Sequence, residues 1–133
     1  MTSNAEDWIV DFTDQMEMDK RSLHRGMILK VLPHLEREDL DVSKLTRVFY
    51  KSRRQLYREI HDLSGLPVAQ WIRLLRLHRA RWLIDTGEIT SVIELADKSG
   101  FARADYFRSL YRDYFGTDPA HYFYIPREMA LSD

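Results

Sequence analysis

Shifted by 51 positions, one stretch of this chain overlays itself. Leu56 falls on Phe107, Ile60 on Tyr111, Asp62 on Asp113, Gly65 on Gly116, Ala69 on Ala120 and Trp71 on Tyr122. A period near 50 residues marks a duplicated supersecondary unit. Each copy reads as a helix stopped by glycine and followed by an aromatic anchor, because the apolar members recur at helical spacing and a glycine closes the run. Two copies are too few for a stacked solenoid. The aromatics Trp71, Tyr106, Phe107, Tyr111, Tyr114, Phe115 and Tyr122 share this spacing and are therefore read as core rather than as base-stacking groups.

Around the repeat the punctuation is helical throughout. Leu23, Met27, Val31 and Leu35, with Ile28 and Leu32 beside them, make one apolar face. Pro33 interrupts it and predicts a kink or a new short helix. Asp41 or Ser43 caps a helix through Leu45, Val48 and Phe49. Ser52 then caps another, with Leu56, Ile60 and Leu63 inward and Gly65 as its stop. Two short helices joined by so brief a turn make a helix-turn-helix. From Val68 to about Asp85, with Trp71, Ile72, Leu75 and Leu83 inward, no breaker occurs, which predicts one helix of roughly 27 Å.

Thr86-Gly87-Glu88 closes that helix, and Ser91 with Glu94 forms a capping box for the next. Val92, Leu95 and Ala96 are its apolar members. Ser99-Gly100 turns the chain, and residues 103–115 form the second glycine-stopped helix, with Phe107, Leu110, Tyr111 and Tyr114 inward. No segment alternates with period two. The expected fold is all-α: a helix-turn-helix unit at 21–66, a long central helix at 67–86 and a second unit at 87–124 that carries the other copy of the repeat. An acidic segment (1–20), whose Trp8, Ile9, Val10 and Phe12 can dock as an apolar plug, and a tail (125–133) flank them.

With 133 residues, 44% of them hydrophobic, the chain can bury the core of one ordinary domain or two very small ones. The absence of cysteine excludes disulfides and thiolate metal sites and fits a reducing compartment. Apolar runs are short and broken by Arg or Asp, and no charged-then-apolar leader opens the chain, so the expected location is the cytoplasm, with no membrane contact. His24, His34, His61, His78 and His121 lack ligand spacing, no glycine-rich phosphate loop occurs, and no carboxylate pair stands in an acid/base context. No metal, no cofactor and no enzymatic activity are expected.

A formal net charge of −1 conceals an uneven distribution. Residues 1–41 carry five basic and ten acidic side chains, residues 42–116 fourteen and eight, and residues 117–133 one and three. The repeated region is a basic module with acidic flanks. On the helix after Ser52, the residues Arg53, Arg54, Tyr57 and Arg58 cluster in the first two turns. Arg54, Tyr57 and Arg58 share one face, opposite Leu56, Ile60 and Leu63. The second helix of a helix-turn-helix enters the major groove by its N-terminal part, where arginine pairs bidentately with guanine. A solvated arginine-rich surface has the same pattern, and the stretch alone leaves both readings open.

The second copy presents Arg103, Asp105, Arg108, Ser109 and Arg112. Arg108 and Arg112 can meet phosphate, and Asp105 can accept from cytosine or serve as a helix-start charge favoured by the dipole. On the central helix Arg73, Arg76, Arg79 and Arg81 read mainly as solvated or carboxylate-paired.

These pieces together resemble the DNA-binding domain of AraC/XylS-type bacterial transcription regulators, from about Leu29 to Tyr122. The resemblance rests on Ser52-Arg53-Arg54-Gln55-Leu56-Tyr57-Arg58, then Gly65-Leu66-Pro67-Val68-Ala69-Gln70-Trp71-Ile72, then Arg76-Leu77 with Ala80. It continues through Ser91-Val92-Ile93-Glu94-Leu95-Ala96, Gly100-Phe101, Tyr106-Phe107 and Tyr114-Phe115-Gly116-Thr117-Asp118-Pro119. It implies about seven helices arranged as two homeodomain-like helix-turn-helix subdomains joined by the long central helix, with two recognition helices in successive major grooves of double-stranded DNA, about 34 Å apart. By position it implies base-reading roles for Arg54, Tyr57 and Arg58, and for Ala104, Asp105, Arg108 and Ser109.

The chain departs from that pattern at Ser109, where many relatives carry arginine, at Asp105, and at Tyr50 and Lys51, where small apolar residues are common. The second subdomain is thereby expected to add affinity and orientation more than sequence choice. RNA polymerase is an implied partner, and a separate sensing or dimerising domain is expected outside this chain. The alternative is a degenerate helix-turn-helix module acting through protein–protein contacts.

Overall fold

In the computed structural model, which describes Trp8, Ile9, Thr13 and residues 18–123, every regular element is helical. Within residues 18–123 six α-helices follow in order: α1 (Met18–Val31), α2 (Val42–Phe49), α3 (Arg53–Ser64), α4 (Val68–Thr86), α5 (Val92–Lys98) and α6 (Ala104–Phe115). A 3-10 turn, Leu32–His34, follows α1, and another, Pro119–Phe123, follows α6. Helix α1 ends before Pro33, which sits in the tighter turn, and it buries Ile28 and Val31, whereas Leu23, read on the same apolar face, is 66% exposed. The tail at 125–133, Val10 and Phe12 lie outside the described residues. Among the described residues no helix is long and apolar enough to cross a membrane.

The helix boundaries follow from side-chain caps. Asp41 accepts from the Lys44 N–H at 2.9 Å and starts α2. Ser52 starts α3 with a reciprocal capping box, its hydroxyl accepting from Gln55 N–H while the Gln55 amide oxygen accepts from Ser52 N–H. Such caps hold a helix start by about 1 kcal/mol. Ser91 starts α5 by accepting from Glu94 N–H, but the Glu94 carboxylate reaches back one residue further than expected, to Thr90 N–H at 2.9 Å. Gly65 and Gly116 end α3 and α6 at φ +74° and +78°, a left-handed conformation that glycine adopts without steric cost.

Two cores sit along α4, which belongs to both. The first gathers Ile28, Val31 and Leu35 with Leu45, Phe49, Leu56 and Ile60, and takes Val68, Trp71, Ile72 and Leu75 from α4. Trp8 and Ile9 are buried in it, as an apolar plug requires. The second core gathers Leu95, Ala96, Phe101, Phe107 and Tyr111 and takes Leu77, Ala80 and Leu83 from α4. At 19 residues, α4 is about 28 Å long.

The duplication is deeper than its sequence trace, and in one place shallower. The N-caps of the two first helices, Asp41 and Ser91, stand 50 positions apart, whereas the starts of α3 and α6 stand 51 apart. One extra residue in the second turn shifts the register, so the equivalence of Leu45 and Leu95, both fully buried, escapes a single offset. At the far end the core reading fails: Trp71 is 0% exposed, but Tyr122 is 50% exposed. Tyr106 and Tyr114, also read as core, are each 46% exposed. Phenols tolerate this because the ring packs while the hydroxyl stays wet.

Candidate nucleic-acid interface

Burial of Leu56 and Ile60 against the first core fixes which face of α3 turns outward. Arg54, Tyr57, Arg58 and His61, at i, i+3, i+4 and i+7, form one exposed stripe. The stripe borders a cleft of about 960 Å³ whose floor is Val42, Pro67, Val68 and Ala69. Among the described residues neither Arg54 nor Arg58 has a hydrogen bond or ion pair. Arg53 differs: its guanidinium donates to Ser43 Oγ at 2.7 Å and ties α3 to α2. Ser52 is exposed, but its hydroxyl is committed to the cap.

The second stripe occupies the equivalent positions of α6. Asp105, Arg108, Ser109 and Arg112 are all exposed, while Phe107 and Tyr111 hold the helix to its core. Ala104, the first residue of α6, is half-buried against that core. Here the cations are matched by carboxylates. Arg108 makes a two-pronged contact with Asp118, Nε to Oδ1 at 3.3 Å and Nη2 to Oδ2 at 2.8 Å, and Arg112 lies 3.9 Å from the same carboxylate. Arg103 pairs with Asp105 at 2.7 Å. Hydrogen bonding by Arg108, then by the Ala120 N–H, holds the Asp118 carboxyl below its ordinary range. Asp105 also accepts from Tyr106 N–H at 2.9 Å, which fits the helix-start charge.

The four arginines of α4 separate by environment. Arg76 donates to the Leu35 and Arg37 carbonyls at 3.1 and 2.6 Å. Arg79 donates to the Lys98 carbonyl at 3.0 Å, and Arg81 lies over the Phe115 ring, 5.0 Å from its centroid. Arg73 makes no hydrogen bond or ion pair among the described residues. It lines a cleft of about 290 Å³ with Ala69, Arg76, Arg103, Tyr106 and Glu38. Ala69 also floors the cleft against α3, so both clefts open beside the same stretch of α4. Arg73 thus shares a cleft with Arg103 and Tyr106 of the second head, one helical turn along α4 from Ala69. The residue pattern groups it with Arg76 and Arg79, which are tied to backbone carbonyls, and with the exposed Arg81, and nothing local distinguishes the four.

Asp118 was also invisible as a charge partner. It follows Arg108 by ten residues, beyond any helical spacing, and only the turn at Gly116 brings it back. No cluster of three or more His, Cys, Asp or Glu arranged to hold a metal occurs among the described residues.

A family model described as a helix-turn-helix domain matches residues 45–124. The chain belongs to the AraC-type helix-turn-helix family. Within that family it is 35% identical over 82 residues to the HTH-type transcriptional regulator GbdR of Pseudomonas aeruginosa, covering 62% of this chain and 22% of GbdR. It is 26% identical over 105 residues to the HTH-type transcriptional activator RhaS of Escherichia coli, covering 79% of this chain and 37% of RhaS. The chain thus spans between about a fifth and two fifths of the length of these AraC-type relatives. The relatives are transcriptional regulators, not enzymes.

Among solved structures, the DNA-binding domain of AdpA in complex with a target DNA superposes with a TM-score of 0.64 at 32% identity, covering 74% of this chain and 86% of that one. The C-terminal domain of the response regulator YesN from Fusobacterium nucleatum shares the fold, with a TM-score of 0.57 at 20% identity, covering 92% of this chain and 100% of that one.

Proposed function

We propose that this chain binds double-stranded DNA sequence-specifically, through α3 and α6 in successive major grooves, and thereby regulates bacterial transcription. The observation that carries the reading is the exposed stripe Arg54–Tyr57–Arg58–His61, whose two guanidinium groups have no protein partner among the described residues. Arginine side chains left free at the start of a second helix suit bidentate pairing with guanine. Support also comes from the AdpA domain, which was solved on a target DNA.

In this reading Arg54, Tyr57 and Arg58 read base edges, with His61 extending the stripe, and Ser52 and Arg53 set the helix in place. Arg73, in the cleft it shares with Arg103, meets the DNA backbone there. Arg103, Arg108 and Arg112 approach phosphate, and Ala104, Asp105 and Ser109 face the second groove. Residues 21–66 and 87–124 are the two reading units and 67–86 the helix between them, in a protein of the cytoplasm. RNA polymerase and a sensing or dimerising domain are partners in the same proposal.

The test is binding to a duplex recovered by selection from a random library, followed across salt. Log K should fall with log salt by about 0.9 per phosphate neutralised, and the recovered duplex should outcompete random DNA. A flat salt response, or no preference over random DNA, would overturn the proposal in favour of a module that works through protein contacts.

A further inference from the structure

We propose that Arg76, Arg79 and Gly100 form a lock that fixes the angle between the two reading heads, making the spacing of the two half-sites part of what the protein recognises. The second clause rests on the DNA-binding reading above; the first does not.

The central helix cannot set that angle alone. Long helices bend, and the two cores divide α4 between Leu75 and Leu77, with the half-buried Trp82 the one described residue packed against both. Among the described residues Trp8 of the first core reaches the second head through the His78 ring, and a second link is a meeting of two loops across α4. One is the segment after the first 3-10 turn, Leu35 to Arg37; the other is the turn of the second helix-turn-helix, Lys98 to Gly100.

Arg76 grips the first loop, with Nε donating to the Leu35 carbonyl at 3.1 Å and Nη2 to the Arg37 carbonyl at 2.6 Å. Arg79 grips the second, with Nε donating to the Lys98 carbonyl at 3.0 Å. Glu36 stands between them, its carboxylate 3.9 Å from Arg79 and 3.7 Å from Lys98, so one side chain of the first loop faces two cations around the second. Hydrogen bonds from a charged donor are roughly twice as strong as neutral ones. Burial lowers the pKa of both guanidinium groups, the expected sign for cations drawn out of water into a protein junction.

Gly100 completes the contact. Its φ of +92° suits glycine. A Cβ there would also collide with the Leu35 carbonyl oxygen and come within 2.7 Å of Arg76 Nε. The two loops therefore touch backbone to backbone, with the Arg76 guanidinium group at the same contact. Arg76 and Arg79 act as positioning residues, since neither needs to touch DNA to set where α6 lies relative to α3.

Two measurements test this. The chain has no cysteine, so spin labels attached through Asp62→Cys and Asp113→Cys report one distance between the heads without DNA. The parent should give a narrow distance distribution, and Arg76→Met or Arg79→Met a broad one; two variants are used so that a failure of either to fold leaves the other. Distributions as narrow as the parent's in every folded variant would overturn the lock.

The second measurement uses the selected duplex with one base pair inserted between its half-sites, which rotates one against the other by about 35°. The parent should lose affinity by on the order of tenfold or more, the size of a mismatched base pair. In the Arg76→Met and Arg79→Met variants the ratio between the two duplexes should collapse toward one. An unchanged ratio beside a broadened distribution would overturn the spacing role. A parent that selects no duplex would instead defeat the DNA-binding reading, and with it the spacing role, while the spin labels still judge the lock.

Discussion

The two recognition helices are copies in everything but their outward chemistry. Both have 12 residues, both end at a left-handed glycine, and both bury an equivalent pair, Leu56 and Ile60 or Phe107 and Tyr111. Position for position, the exposed stripes differ throughout: Arg54 against Asp105, Tyr57 against Arg108, Arg58 against Ser109, His61 against Arg112. Partners differ as well. Arg54 and Arg58 are free among the described residues, whereas Asp118 faces Arg108 and Arg112, and Asp105 pairs with Arg103. Duplication conserves what the core requires, and the face that packs against nothing is where the copies have separated. A guanidinium already in contact with a carboxylate must exchange that partner to meet DNA, so the second head gains less from each contact it makes.

The largest effect separates the copies at their anchors. Trp71, fully buried and donating its indole N–H to His24 Nε2 at 2.8 Å, fills the first core. Trp71→Ala should cost about 3–5 kcal/mol in a urea melt, and Tyr122→Ala, at a half-exposed site, under about 1 kcal/mol. Comparable losses would mean that the anchors are equivalent after all.

Acid should then expose a likeness between the halves of α4. His24 borders the first half and His78 the second, where it lies against Tyr114 and Phe115. Burial lowers both pKa values from 6.5 to about 4, with the charge of Arg81 helping at His78. The folded state thus binds fewer protons than the unfolded chain between these values. The stability linked to the neutral rings is fully present above about pH 6.5 and is lost as the pH falls towards 4. Urea midpoints at pH 7, 5.5 and 4.5 should fall in that order, and His24→Gln and His78→Gln should each flatten the fall. A slope that neither substitution changes would assign the acid sensitivity elsewhere.

Binding variants compare the stripes. Arg58→Ala should weaken binding to the selected duplex by about 1–3 kcal/mol and relax the choice of one base pair. Arg108→Ala should cost less and leave the preferred sequence unaltered. Equal losses with equal relaxation would show both heads reading bases. The smallest effect is a gain: Asp118→Asn frees Arg108 and Arg112, so affinity for random duplex should rise and the salt slope should steepen by about 0.9 for each phosphate newly met. A slope unchanged from the parent's would show that Asp118 does not restrain them.

Most of the fold was legible because caps, glycine stops and apolar spacing are local. Asp41, Ser52 and Ser91 open their helices as their residue types predict, and Gly65 and Gly116 close theirs. The exposed stripes were legible too, since burying Leu56 or Phe107 dictates what faces outward. The misses come from contacts distant in sequence. Whether Tyr106, Tyr114 and Tyr122 are core depends on how far their rings lie from α4, which spacing along their own segments does not encode. Arg73, Arg76 and Arg79 differ only in which loop approaches them, and Asp118 gains its role from a chain reversal.

Selection from a random duplex library, scored as the information at each half-site, tests the inequality of the heads most directly. A strongly defined half-site under α3 beside a weakly defined one under α6 is the predicted result. Two half-sites of equal information, or the sharper one under α6, would contradict it.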